Sequence, residues 1–301
     1  MDPTSKIKSS GLILKISTQK SGVSGLAILN DGRLVSGLSN GDILIYNKVT
    51  YKIELKIKAH KDRITCLTRL SSGILASCSW DNTTKLFNIK KNSYDIFQKF
   101  EDYGSSIIEL DNKDLVSCSS ENYVIYYSKD KNKYREQFKI SSKYPCNSII
   151  QTKENEICYS EYIKDFNYNI CFYDLNKRRI KASINHINSS GTGGPFNLIW
   201  KDLLIIGGFD EISIINVNKY KLIRKIKVSN SEWLYGFCKL NENIFFTGDH
   251  NGEIYQWEIK GDNLTLISNK KKIHKDSVVT LIKVRNGHIA SGSSDMSIKI
   301  W

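Results

Sequence analysis

A short segment type recurs seven times along this chain at nearly regular intervals. Each copy has an apolar run that ends in a small residue, then a polar turn, and then a stretch in which apolar and polar residues alternate. The apolar runs are 34–37, 75–78, 115–118, 157–160, 204–207, 245–248 and 289–292. The alternating stretches end at Tyr46, Phe87, Tyr127, Tyr173, Ile215, Trp257 and Trp301. Successive copies therefore lie 40 to 46 residues apart.

This period favours a ring of small, similar sheets. Alternation of period two dominates, which is typical of strands rather than helices. In the second copy, strands are predicted at 63–70, 74–79, 83–88 and 94–100, with turns between them. Short strands separated by frequent turns indicate an antiparallel sheet, and a repeat of this length is typical of a propeller blade. The sequence thus predicts an all-β fold, a single seven-bladed β-propeller of four-stranded antiparallel blades.

The last copy is incomplete, because Trp301 ends its third strand. The segment 11–17 offers a spare strand with Leu12, Leu14 and Ile16 on one face. We expect this N-terminal strand to complete the seventh blade and close the ring, with these three side chains buried. The chain 1–301 is then one domain. Its approximate blades are 21–58, 60–100, 103–140, 144–184, 190–228, 232–269, and 274–301 plus 11–17.

Net charge and cysteine content indicate the kind of partner and the cellular compartment. Lys and Arg number 44 against 31 for Asp and Glu, a formal net charge of +13. Such a surface favours acidic partners, although it also serves solubility. The seven cysteines fall mostly in apolar strands without metal-ligand spacing, which is typical of small buried residues in a reducing compartment. With no signal-like segment at the N-terminus, we expect a cytoplasmic location, with the nucleus as the alternative.

Two copies contain a further pattern. The seventh has His274, Ser291, Asp295 and Trp301, and the second has His60, Ser77, Asp81 and Phe87 at the matching positions. On these residues the chain resembles the WD40-repeat family. The resemblance implies a buried hydrogen-bonded tetrad of His274, Asp295, Ser291 and Trp301. In the second copy Phe87 has no N–H, so its network would be one link short.

Other copies depart from the pattern. Asn40, Glu121 and Asn251 stand where the first, third and sixth copies should have Asp. Asn230 stands where the sixth should have His. The fourth and fifth copies fit least well.

The grouping of His60, Asp81 and Ser77 also resembles a hydrolase triad. A catalytic Ser must be exposed beside an oxyanion hole, whereas Ser77 lies inside an apolar run. We interpret the grouping as structural and expect no enzyme activity. His186 and His288 lack metal-ligand spacing, and the glycines at 191–194 have no phosphate-loop Lys. We therefore predict neither a metal nor a cofactor.

One propeller face is expected to hold the partner site. In this kind of propeller, loops before the first strands and turns between the second and third strands share that face. The predicted partner-binding residues are Arg63, Thr65, Trp80, Tyr103, Trp233, Tyr235 and His250. Ser105, Ser277, Val279 and Ser294 have the same phase, and Tyr162 and Phe209 align less well. Trp80 has the strongest case, because Trp, Tyr and Arg are the usual interface anchors.

The function predicted from these features is a non-catalytic protein-interaction scaffold or substrate adaptor that binds a peptide or partner domain. An alternative is binding of RNA, a ribonucleoprotein or an acidic surface through a basic rim. The rim comprises Lys52, Lys56, Lys58, Lys177, Arg178, Arg179, Lys181, Lys219, Lys221, Arg224, Lys225, Lys227, Lys270, Lys271 and Lys272. Lysines on edge strands also prevent aggregation. We expect a monomer or a subunit of a larger complex.

Overall fold

Seven antiparallel sheets of four strands each, blades 1 to 7, are arranged as a propeller in the computed structural model. The structure describes residues 11–18, 21–131, 133–165, 167–188, 197–200, 202–228, 233–261 and 263–301. The predicted fold class is confirmed. In the described part of the chain, no helix is long and apolar enough to cross a membrane.

The first four blades follow one another in the chain after β1 (Leu14–Ser17). Blade 1 contains β2 (Val23–Ile28), β3 (Leu34–Leu38), β4 (Asp42–Tyr46) and β5 (Ile53–Lys58). Blade 2 contains β6 (Ile64–Arg69), β7 (Leu75–Ser79), β8 (Thr83–Asn88) and β9 (Ser93–Lys99). Blade 3 contains β10 (Gly104–Glu109), β11 (Leu115–Ser119), β12 (Tyr123–Asp130) and β13 (Lys133–Ser141). Blade 4 contains β14 (Cys146–Lys153), β15 (Glu156–Lys164), β16 (Asn167–Asp174) and β17 (Arg179–Asn188).

The remaining blades repeat this order. Blade 5 contains β18 (Asn197–Trp200), β19 (Leu203–Gly207), β20 (Glu211–Asn216) and β21 (Lys221–Lys227). Blade 6 contains β22 (Leu234–Lys239), β23 (Ile244–Asp249), β24 (Glu253–Lys260) and β25 (Asn263–Lys272). Blade 7 contains β26 (Val278–Lys283), β27 (Ile289–Ser293), β28 (Ser297–Ile300) and β1. A single 3-10 turn (Arg285–Gly287) joins β26 to β27.

The N-terminal strand closes the last blade. β1 pairs antiparallel with β28, with Leu14 opposite Ile300 and Ile16 opposite Ile298. Ile16 is buried, whereas Leu12 is 55% exposed, because the strand begins only at Leu14. The expectation that all three apolar side chains of this face would be buried is therefore wrong for Leu12.

The core lies between the blades. Seven hydrophobic clusters are present in the described part of the chain, and each one joins two neighbouring blades. The cluster between blades 7 and 1, for example, contains Ile298 and Ile300 together with Val23 and Leu26. The second strand β7 is buried at every residue, whereas the outermost strand β21 is exposed along most of its length. The ring therefore depends on side-to-side packing, and the ends of its inner strands remain free to form a site.

Candidate functional site

A cavity of about 260 Å³ is formed by one face of the ring. Blades 2, 3, 4, 6 and 7 contribute to its wall. The lining residues are Arg63, Thr65, Trp80, Tyr103, Ser105, Asn147, Tyr235, His250, Ser277, Val279 and Ser294. Six of the seven predicted partner-binding residues are among them; the exception is Trp233. The space admits one or two side chains of a ligand, but not a folded element.

The β7–β8 turn positions Trp80 at this cavity. The backbone N–H of Trp80 donates to the backbone carbonyl of Arg63 at 2.9 Å. Asn82 takes a positive φ of 64°, which an Asn tolerates in a tight turn. The Trp80 ring lies 6.1 Å from the Tyr103 ring between centroids. Even so, 49% of Trp80 is exposed. The indole is thus held by neighbours from two blades while much of its surface faces solvent.

Arg63 lies beside this indole. Its guanidinium carbon is 5.6 Å from the centre of the Trp80 ring, within the range of a cation–π contact. Burial lowers the pKa of the Arg63 guanidinium, and nearby Tyr235 opposes that shift. Among the described residues no carboxylate forms an ion pair with it. The cavity therefore contains a partly desolvated positive charge with no counter-ion from the described chain.

Polar groups from blades 6 and 7 also line the cavity. Tyr235 Oη lies 3.4 Å from His250 Nδ1, and Ser277 Oγ lies 2.9 Å from the same nitrogen. The backbone N–H of His250 donates to the backbone carbonyl of Trp233 at 2.9 Å, which fixes the turn that carries the imidazole. These contacts make the wall rigid and leave hydroxyl and imidazole groups at its surface.

First strands contribute to the cavity lining at one repeated position. Thr65, Ser105, Asn147 and Val279 are each the second residue of a first strand. The Thr65 hydroxyl donates to the Gly104 carbonyl at 2.6 Å, linking blades 2 and 3. Asn147 was missed by the sequence reasoning because the fourth copy was poorly aligned. Its phase within β14 was the signal that could have identified it.

Trp233 does not line the cavity. It forms an isolated bridge with Phe209, and the two rings lie 4.8 Å apart between centroids. This pairing joins blades 5 and 6 beside the cavity rather than within its lining. The common phase placed Trp233 near the face but could not reveal its partner on the neighbouring blade.

The tetrad residues of blade 7 form a buried network. His274 Nδ1 lies 3.0 Å from Asp295, and His274 Nε2 lies 2.7 Å from Ser291 Oγ. Trp301 donates its indole N–H to Ser291 Oγ at 3.2 Å. Blade 2 repeats the first two contacts, with His60 at 3.0 Å from Asp81 and 2.7 Å from Ser77. The residue at the fourth tetrad position, Phe87, is buried against the His60 ring without a polar contact.

Both imidazoles have a lowered pKa. Burial lowers the pKa of His60 and of His274, although the adjacent carboxylates oppose that shift. The pKa of Asp295 falls to about 2, because hydrogen bonds from Ser297, Lys275 and His274 outweigh burial. A neutral imidazole that donates from Nδ1 to Asp and accepts at Nε2 from Ser satisfies this geometry. Ser77 and Ser291 are fully buried, so substrate cannot reach either hydroxyl.

Sequence reasoning missed additional members of these networks. The Thr83 and Ser297 hydroxyls donate to Asp81 and Asp295, each at 2.6 Å. Lys85 donates to the Ala59 carbonyl at 2.7 Å, and Lys299 donates to the Ile273 carbonyl. The repeated Thr/Ser–x–Lys spacing after each Asp was the signal that could have revealed them.

Blades 1 and 6 contain other polar links between their second and third strands. In blade 6, Trp257 donates to Thr247 at 2.9 Å, while Tyr255 donates to Asp249 at 2.9 Å. The carboxylate there is Asp249, two residues before Asn251, and the predicted Asn230 lies outside the described residues. In blade 1, the hydroxyls of Ser36 and Tyr46 are 2.8 Å apart. A polar link between second and third strands is thus retained where the His is lost.

No group of three potential metal ligands occurs among the residues that the structure describes. The His186 side chain and the glycines at 191–194 lie outside that part. All seven cysteines are free, and six of them are buried.

Comparison with known proteins identifies two of the repeats. Residues 51–88 and 270–301 match the WD40 family model, described as "WD domain, G-beta repeat". These segments contain the tetrad positions of blades 2 and 7. Together with the seven-bladed fold, the match confirms the resemblance seen in the sequence. Propellers of this family typically serve as protein-interaction scaffolds and are generally non-catalytic. A search of curated proteins found no significant match.

Proposed function

This chain is a seven-bladed β-propeller that carries WD40 repeats, and from that premise we propose that it is a non-catalytic scaffold or substrate adaptor. It docks a peptide, or an extended segment of a partner domain, on the face that contains the cavity. The observation that carries this proposal is the convergence of Trp80, Tyr103, Tyr235 and Arg63 from three blades on one cavity. Aromatic and Arg side chains in a partly desolvated pocket are the usual anchors of protein interfaces.

Trp80 is the main anchor in this proposal. Half of its surface is exposed, although Tyr103 and Arg63 already fix its position. A ligand that covers a fixed indole gains apolar contact without a large loss of side-chain entropy. Trp233 contributes indirectly, because it supports the turn that carries His250.

Trp80→Ala tests the proposal, with Ile96→Ala as its control. Ile96 is 50% exposed in the same blade, but it lies on the outer strand β9. We expect Trp80→Ala to weaken capture of partners by about tenfold or more. Both variants should melt within a few degrees of the wild type. The measurement is quantitative mass spectrometry of proteins retained by each immobilised form. Retention of the same proteins, in the same amounts, by the Trp80→Ala form would contradict the proposal.

Binding through the basic rim is a weaker candidate. Several rim lysines already have carboxylate partners, namely Lys56 with Asp42, Lys181 with Glu156 and Lys225 with Glu211, at 2.7 to 2.9 Å. Such pairs reduce the charge available to a polyanion. A rim-bound nucleic acid would show steep loss of affinity with salt, whereas an aromatic-centred site predicts a shallow dependence. Repeating the capture at two salt concentrations separates the two candidates.

A further inference from the structure

The cavity contains a cation and a buried hydroxyl that form no hydrogen bond or ion pair with any described residue. We propose that it accepts the carboxylate of an Asp or Glu side chain in the docked segment. This inference rests on the proposed function and specifies the chemistry of its ligand. The two groups concerned are the Arg63 guanidinium and the Ser105 hydroxyl, from adjacent blades.

Arg63 is poised for an external anion. The neighbouring Asp62 does not pair with the guanidinium. Its carboxylate accepts a hydrogen bond from the Arg63 backbone N–H at 2.6 Å. Asp102 likewise accepts the Tyr103 N–H at 2.8 Å. Meanwhile the Trp80 ring limits the orientations of the guanidinium. A planar guanidinium held in one orientation can form two parallel hydrogen bonds to a carboxylate.

The Ser105 hydroxyl independently supports a carboxylate ligand. It is 1% exposed, lines the cavity, and its Oγ has no hydrogen-bond partner among the described residues. Thr65 occupies the same strand position in blade 2, but its hydroxyl is used by the Gly104 carbonyl. A buried hydroxyl without a partner is uncommon in native proteins. An incoming carboxylate oxygen would accept a hydrogen bond from this hydroxyl.

A carboxylate fits this site better than a phosphate. Phosphorylated segments are generally recognised by clusters of Arg, whereas Arg63 is the one guanidinium or ammonium group among the described lining residues. One guanidinium matches the single charge of a carboxylate. The net charge of +13 also favours approach of an acidic segment.

Peptide libraries with one fixed central residue test this inference. The probes are otherwise random peptides centred on Glu, Gln or phosphoserine, and binding is measured by fluorescence polarisation. We expect the wild type to bind the Glu library about tenfold more tightly than the Gln library, because hydrogen bonds to charged groups contribute strongly. Arg63→Gln should abolish this preference, Arg63→Lys should retain part of it, and Ser105→Ala should reduce it a few-fold. Arg135→Gln, an exposed change on β13, should leave it intact.

The outcomes separate this inference from the proposed function. Binding that is lost in Trp80→Ala but shows no preference for Glu over Gln overturns the carboxylate inference and leaves the docking face standing. Tighter binding of phosphoserine than of Glu overturns it in favour of a phosphate. Peptide binding that is insensitive to Trp80→Ala overturns the docking face itself. Melting curves of the Arg63 variants show whether any loss reflects unfolding.

Discussion

Ser77 and Ser291 occupy the same position in blades 2 and 7, yet they have different numbers of partners. Ser77 Oγ bonds to the His60 imidazole, and Phe87 offers no N–H to it. Ser291 Oγ bonds to the His274 imidazole and also accepts the Trp301 indole N–H. Removing a partner from a buried polar group costs about 1–3 kcal/mol. The aromatic residue that ends each third strand therefore decides how costly loss of the serine is.

This difference predicts unequal effects of the same substitution. Ser291→Ala removes the partner of the buried His274 imidazole and of the part-buried Trp301 indole N–H, whereas Ser77→Ala removes only the partner of the His60 imidazole. We expect Ser291→Ala to lower the free energy of unfolding by about 1 kcal/mol more than Ser77→Ala does. Urea denaturation of the two variants measures the difference. Equal losses, or a greater loss for Ser77→Ala, would show that the indole N–H adds nothing to the network.

Among the secondary-structure elements, β1 has a special role because it joins the two ends of the chain. Ile16 lies in the cluster between blades 7 and 1 and is 8% exposed, whereas Leu12 precedes the strand and is 55% exposed. We expect Ile16→Ala to cost about 2–5 kcal/mol. Leu12→Ala, the matched control, should change stability by less than about 0.5 kcal/mol. Thermal and urea unfolding of both variants would contradict strand closure if they gave the same result.

Local pattern was sufficient to predict the elements of the better-aligned repeats. In blade 2, the expected strands 74–79 and 83–88 correspond to β7 and β8 because alternation and turn residues are local signals. The position of Trp80 at the cavity also followed from its phase. The pairing of Trp233 with Phe209 did not, since it depends on contact between two blades. Nor could the sequence show that Arg63 has no ion-pair partner among the described residues, because that depends on where Asp62 directs its carboxylate.

For the molecule as a whole, the buried networks make stability depend on pH. The pKa of His60 and of His274 is lowered from 6.5 in the fold, so the unfolded chain binds more protons on acidification. Their contribution is therefore fully present above pH 6.5 and is lost as pH falls below it. Asp81 and Asp295, whose pKa values are also lowered, add a further loss at lower pH.

Melting temperatures between pH 7.5 and pH 5 should therefore decrease as the solution is acidified. The slope can reach about 1.4 kcal/mol per pH unit for each histidine. A His60→Gln/His274→Gln double variant should be less stable at pH 7.5 but should show a flatter dependence. His288→Gln, a change in the turn before β27, should keep the wild-type slope. A wild-type melting temperature that is unchanged across this range would contradict neutral imidazoles in the networks.

The central claim is that partners are held in the cavity formed by the inner strands and turns of the ring. A crystal structure of the protein with the tightest-binding acidic peptide tests it most directly. We predict that the peptide covers Trp80 and that one of its carboxylates lies within hydrogen-bond distance of Arg63 and Ser105. A peptide seated on the outer strands, with the cavity empty, would contradict the account.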